Sequence, residues 1–207
     1  MYPVEKARNA LRALLQAYGT KSIKRSLWNA EFSRGRWGCL EVSPGDVVYR
    51  YIEKYANKGS ILDLGCGSGS TGNELDATEY GDYTGVDISD VAIETARRGA
   101  KENCRGDKNK YVQADISDYV PTQQFNVILF RDSIYYVPQA KIKRMLDRYS
   151  QYLREGGVFI VRMWSVSGKY KTIVDTIESG FEVMEKDLSV QPKAVVIVFR
   201  CRKMLGF

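Results

Sequence analysis

The chain has 207 residues, 44% of them apolar and 12% aromatic, which suits one α/β domain with a substantial buried core. The absence of histidine excludes a histidine base, a histidine-centred triad and histidine metal ligands, and Cys39, Cys66, Cys104 and Cys201, with no Cys-x-x-Cys pair, read as free thiols rather than a zinc site or disulfide framework. The net charge of +6 favours acidic partners, but the basic residues are scattered along the chain and read as solvated faces rather than a phosphate-binding track.

An amphipathic helix is expected over 4–18, where Val4, Ala7, Leu11, Leu14, Leu15 and Tyr18 recur at helical spacing and Lys6, Arg8, Arg12 and Gln16 fall on other faces. Gly19 stops it. Residues 26–40 mix Trp28, Phe32 and Trp37 with Arg34 and Arg36 around two glycines, which reads as an ordered, irregular flap. A second helix follows over 45–57. Thereafter apolar runs at 60–64, 83–87, 111–114, 125–130, 157–163, 182–186 and 195–199 read as seven strands, with helices at 91–103, 139–153 and 169–179. A short turn through 189–193 leaves no room for a crossover helix, so the last two strands should pair antiparallel.

The expected architecture is a Rossmann-like α/β fold. It has seven mostly parallel strands, helices on both faces, an antiparallel last strand and an N-terminal helical lid. Residues 1–207 should form a single domain, with 1–44 as helix and flap over the site. With no apolar run of about 20 residues and no basic-then-apolar start, the chain is expected to be soluble and cytoplasmic.

In such a sheet, ligands sit at the carboxyl ends of the strands near the switch point of strand order. The first strand runs through Asp63-Leu64 into Gly65-Cys66-Gly67-Ser68-Gly69, where absent side chains let backbone approach a ligand. The second ends at Asp87, whose carboxylate can accept hydrogen bonds from both hydroxyls of a ribose, and the third leads to Asp115 beside Ile116. Either acid can alternatively cap the helix that follows it.

These motifs resemble the class I S-adenosylmethionine-dependent methyltransferases over about residues 58–165. Ile61-Leu62-Asp63-Leu64-Gly65-Cys66-Gly67-Ser68-Gly69 looks like the family's first motif and Tyr83-Thr84-Gly85-Val86-Asp87-Ile88-Ser89 like its second. Gln113-Ala114-Asp115-Ile116 is similar to the third, and Phe125-Asn126-Val127-Ile128-Leu129-Phe130 to the fourth. Leu153-Arg154-Glu155-Gly156-Gly157-Val158 is similar to the turn before strand five, with Glu155 where proline is usual.

The resemblance implies S-adenosylmethionine as cofactor. It places Gly65 and Gly67 beneath the methionine portion, with Asp87 on the ribose and Asp115 near the adenine amino group beside Ile116. Asp63 would face the amino acid end, and the Arg131 backbone would meet the ammonium. Cys66, Gly69 and Ile88 belong to the same expected contacts. No metal is implied.

Methyl transfer needs mainly a positioned acceptor, so missing histidine is no obstacle. The loop after strand four offers Asp132 as base or acceptor-orienting carboxylate, with Tyr136 or Tyr135 beside it. Capping, or pairing with Arg131 or Arg162, is the alternative for Asp132. Trp28 and Trp164 are candidate walls for the substrate, while Trp37 and Arg36 are candidate cofactor contacts, Arg36 or Arg34 toward the methionine carboxylate.

The run Phe130-Arg131-Asp132-Ser133-Ile134-Tyr135-Tyr136-Val137 is similar to the strand-four region of small-molecule methyltransferases. It lacks the Asn/Asp-Pro-Pro-aromatic run of amino-methylating nucleic acid enzymes. A small-molecule acceptor therefore leads, RNA-directed methylation is the alternative, and a nicotinamide-dependent oxidoreductase or non-catalytic scaffold ranks lower. Oligomeric state is not legible.

Overall fold

The structure, a computed structural model, describes residues 3–35, 45–164, 169–190 and 194–202. Helix α1, Pro3–Tyr18, ends where the Gly19 amide donates to the Leu15 carbonyl at 2.9 Å. Helix α2, Lys21–Ser33, starts at Thr20, whose hydroxyl accepts the Ile23 amide. The irregular flap expected from residue 26 is therefore helical as far as Ser33. No glycine or proline interrupts that stretch, and Gly35 at φ +61° marks its end. The expectations for Arg36 and Trp37 fall outside the described residues.

Next come α3 (Val48–Ala56), β1 (Ser60–Leu64), the short α4 (Ser70–Glu74), β2 (Asp82–Asp87), α5 (Asp90–Glu102), β3 (Asn109–Gln113) and β4 (Phe125–Arg131). After a 3₁₀ turn at Ile134–Tyr136 come α6 (Gln139–Ser150), β5 (Leu153–Met163), α7 (Lys169–Gly180), β6 (Glu182–Val190) and β7 (Ala194–Arg200). Strand β5 begins four residues before the expected Gly157. Leu153 already pairs with Phe125, and Gly156 takes φ +73° beside the register shift between Phe125 and Val127.

The seven strands are ordered β3-β2-β1-β4-β5-β7-β6. Strands β1 to β5 pair in parallel and β7 runs antiparallel to both its neighbours. Order reverses between β1 and β4, which opens a crevice at their carboxyl ends.

Alternation along the central strands makes two cores. Val127 and Leu129 of β4 face α3 and α5 residues such as Ile52, Ile93 and Ala96, whereas Ile128 and Phe130 face Leu146 and Tyr149 of α6 and Ile177 of α7. Burying a ring such as Phe159 or Phe199 completely contributes about 1.5–3 kcal/mol. This double-sided packing holds the strand tips still. Among the described residues no helix is long and apolar enough to cross a membrane.

Candidate active site

Strand β1 delivers its tip into a loop in which Gly65, Gly67 and Gly69 adopt φ of +87°, +53° and +81°. Only glycine enters that region at little cost. At Gly65 space is limiting as well, since a Cβ would lie 2.4 Å from the Ser133 Cβ. The loop is tied to the tip of β2, where Asp87 accepts the Gly67 amide through Oδ2 at 3.0 Å and the Ser89 amide through Oδ1 at 2.8 Å. Capping of α5 falls to Ser89, whose Oγ accepts the Ala92 amide, so Asp87 serves the loop and the cleft.

Asp63 lies beneath the loop and is 1% exposed. Its Oδ2 accepts the Tyr83 hydroxyl at 2.5 Å and its Oδ1 lacks a hydrogen-bond partner. Burial pushes the pKa of both Asp63 and Asp87 up to about 6, against the hydrogen bonds they accept. Burial also raises the Cys66 thiol well above its ordinary value, so Cys66 is a neutral wall.

Beyond β3, Asp115 accepts the Ser117 amide at 2.8 Å and the Lys24 ammonium at 3.2 Å. Burial opposes its ionisation, but these partners outweigh it and hold its pKa below the usual value.

The tip of β4 carries a network of charges. Arg131 donates to Asp46 at 3.0 Å and to the hydroxyls of Tyr49, Ser70 and Thr71. Arg162 pairs with Asp132 and lies 3.5 Å from Asp46. Two cations and two carboxylates thus balance in a region where each side chain is under a tenth exposed. Pairing with Arg162, one of the alternatives read for Asp132, is present. Asp132 also holds a left-handed φ of +53°, and burial raises its pKa against the pull of Arg162.

Over this floor lies a roof of α1 and α2. Lys24 reaches Asp115, Trp28 meets Tyr136 edge-on at 4.7 Å, and the Phe32 ring passes 3.4 Å from where a Gly67 Cβ would be. Arg25 grips Asp90 with two bonds of 2.6 and 2.7 Å, and Asn29 bonds both Asp90 and Ser89.

Helix α1 is turned opposite to its expected orientation. Leu11, Leu14 and Tyr18 are 57%, 57% and 68% exposed, while Gln16, read on a face other than that stripe, is 7% exposed and lines the cleft.

One cleft brings together Asp63, Gly65, Cys66, Asp87, Ile88, Asp115, Ile116, Arg131, Asp132, Tyr136 and Trp28. Gly67 and Gly69 shape the loop without lining the cleft; Tyr135 stands behind Tyr136, with ring centroids 4.8 Å apart, and Trp164 is 49% exposed with Arg162 over its ring. The cleft also takes in Gln16, Lys24, Ser68, Ser70, Thr71, Ser117, Ser133 and Val137, which sequence reasoning did not single out as site residues. The hydroxyls after Gly69 were legible in principle, since they open the helix that follows a glycine loop. Gln16 and Lys24 carried no local signal.

The lining suits a cationic nucleoside. Four carboxylates, Asp63, Asp87, Asp115 and Asp132, face two cations, Lys24 and Arg131, and Asp63 Oδ1 is a buried acceptor still to be satisfied. Among the described residues no cluster of three or more metal-ligating side chains occurs.

The strand order, the reversed β7 and the cleft at the β1/β4 switch point define the fold of the class I S-adenosylmethionine-dependent methyltransferases. A solved structure of magnesium protoporphyrin IX methyltransferase (ChlM) from Synechocystis PCC 6803 with bound SAM superposes with a TM-score of 0.68 at 17% identity, covering 87% of this chain and 96% of that one. Residues 61–157 match the methyltransferase domain family. By fold, and over residues 61–157 by sequence, the chain resembles the class I S-adenosylmethionine-dependent methyltransferases.

Among curated relatives, the ubiquinone biosynthesis O-methyltransferase of Rickettsia canadensis (strain McKiel) is 26% identical over 144 residues, 68% of this chain and 59% of that protein. The sterol 24-C-methyltransferase of Candida albicans is 29% identical over 112 residues, 53% of this chain and 29% of that protein. The chain therefore spans less than two thirds of the length of these relatives.

Proposed function

We propose that this protein transfers a methyl group from S-adenosylmethionine to a small-molecule acceptor in the cytoplasm, and that its described residues act as one catalytic domain. The observation that carries the reading is the single cleft in which the acids at three neighbouring strand tips meet an aromatic roof. The cofactor, when bound, supplies an activated methyl carbon and a good leaving group.

The chain's residues position the reactants. A carboxylate has about four acceptor sites. Asp87 accepts the Gly67 amide on one oxygen and the Ser89 amide on the other, and its remaining acceptor capacity would serve the ribose hydroxyls. Asp115, with Ile116 beside it, would take the adenine amino group. Gly65 and Cys66 would support the methionine chain, and Asp63 Oδ1 and the Arg131 backbone would face its ammonium.

On the acceptor side, Trp28 and Tyr136 form a wall that excludes water, and Asp132 orients the acceptor. The ion pair with Arg162 favours that orienting role over proton removal, because a proton on Asp132 would leave the buried guanidinium without its partner. The names of the two relatives, a ubiquinone biosynthesis O-methyltransferase and a sterol 24-C-methyltransferase, support the acceptor class. RNA ranks second despite the net charge of +6, since α1 and α2 cover the cleft.

Calorimetric titration with S-adenosylhomocysteine and with NAD tests the reading. Saturable one-to-one uptake of the first and none of the second is expected, followed by turnover on a pooled metabolite extract. A folded protein that takes up neither S-adenosylhomocysteine nor S-adenosylmethionine overturns it.

A further inference from the structure

We propose that Gln16 selects the acceptor by hydrogen bonding an uncharged carbonyl, hydroxyl or amide on a planar, apolar body; the inference rests on the methyltransferase reading above.

Gln16 is only 7% exposed, lines the cleft and makes no hydrogen bond among the described residues. Neither of its polar atoms is among the buried side-chain atoms left without a partner, so the amide opens into the cleft, where an acceptor can meet it directly. One turn earlier on the same helix, Arg12 bonds Glu31 at 2.7 Å through Nη1 while its Nε is buried without a partner. That N–H is a second donor left over on the inner face of α1.

Position sets Gln16 apart from the cofactor contacts. The acids proposed for the cofactor stand at the tips of β1 to β3, whereas α1 packs against the Ile134–Tyr136 turn after β4. Trp28 and Tyr136 meet there, with ring centroids 4.7 Å apart at 86°, and present aromatic surface suited to a flat acceptor.

Charge then narrows the ligand. Around this end of the cleft each ionic group has a counter-ion: Arg12 has Glu31, Arg131 has Asp46 and Arg162 has Asp132. A carboxylate or ammonium entering beside Gln16 would lose its water without meeting an opposite charge of its own. An amide offers a donor and an acceptor but no net charge, so it rewards a neutral polar group.

The test uses the full chain saturated with S-adenosylhomocysteine and titrated by ligand-observed NMR with benzamide, toluene and benzoate. Wild type should bind benzamide at least tenfold more tightly than either of the others. Gln16→Leu should erase that preference, and Gln16→Glu should transfer it to benzamidine, titrated in the same way. Affinity for S-adenosylhomocysteine should stay within about twofold in both variants.

Failure of benzamide to saturate, a preference for benzoate or toluene, or an unchanged preference in Gln16→Leu overturns the inference and leaves the methyltransferase reading intact. A tenfold loss of S-adenosylhomocysteine affinity in Gln16→Leu also overturns it, by making Gln16 a cofactor contact. Absence of S-adenosylhomocysteine uptake by wild type brings down both.

Discussion

The floor and the roof of the cleft are built on different physics. In the floor, positive-φ glycines and bonds involving backbone set the shape: the Gly67 and Ser89 amides bond Asp87, and the Ser133 hydroxyl bonds the Leu64 carbonyl at 2.5 Å. The roof is held largely side chain to side chain, by Lys24 with Asp115, Arg25 with Asp90 and Lys21 with Asp118. Bonds of the first kind are fixed once the chain folds. Pairs of the second kind cost side-chain entropy and gain little where water screens them. The contrast predicts a floor that tolerates almost no change and a roof that opens cheaply.

The largest effect should come from Gly65→Ala. The new methyl group meets Ser133 at 2.4 Å and must adopt φ +87°, so backbone strain and overpacking add. Urea unfolding should show a loss of about 3 kcal/mol or more. A loss below about 0.5 kcal/mol, the usual range for surface changes, would mean the floor is far softer than its geometry indicates.

Next in size is Asp87→Ala. It removes a charged acceptor from two amides of the chain and, on the proposed reading, from the ribose, and each such bond contributes about 1.5–3 kcal/mol. Calorimetry should record a fall of about a hundredfold in S-adenosylhomocysteine affinity. Unchanged affinity would remove Asp87 from the cofactor site.

The raised pKa of about 6 at Asp87 and Asp63 sharpens the same point through pH. Between about pH 4 and 6 these two carboxyls stay protonated in the folded chain while unfolded counterparts ionise, so their contribution to stability falls over that window and levels off above it. Cofactor uptake favours ionised Asp87 and should run the other way. Affinity for S-adenosylhomocysteine should tighten about tenfold from pH 5 to pH 7 and then stay flat. A flat profile across that span would show that Asp87 need not be charged.

The floor was also the legible half of the site. A glycine run after a strand and acids at successive strand tips are local signals, because one side chain's place is set by its own strand. The roof and the β4 network were not legible in that way. Asp46 and Arg131 lie 85 residues apart, and nothing near either names the other. Helix α1 shows the limit most clearly: the spacing of Leu11, Leu14 and Tyr18 reveals a stripe but not what the stripe faces, and here it faces outward while Gln16 turns in. The helix over Trp28 and Phe32 was missed for a related reason, since aromatic and arginine content was weighed above the unbroken run from Lys21 to Ser33.

The smallest effect belongs to the roof and is read best as a rate. Arg25 is half exposed and Asp90 about a third, so Arg25→Ala should cost no more than about 1 kcal/mol of stability despite losing two short hydrogen bonds. The pair nevertheless pins α2 to the start of α5, beside the Asn29 contacts with Ser89 and Asp90. Loosening it should let the roof lift more often, and stopped-flow displacement should show S-adenosylhomocysteine leaving several-fold faster at low salt. Near 1 M salt the screening length falls to about 3 Å, so the wild-type pair is itself weakened and the two proteins should converge. A variant that loses as much stability as Gly65→Ala, or whose release rate differs equally at both salt levels, would show that the roof is cemented to the floor by packing rather than held by charge.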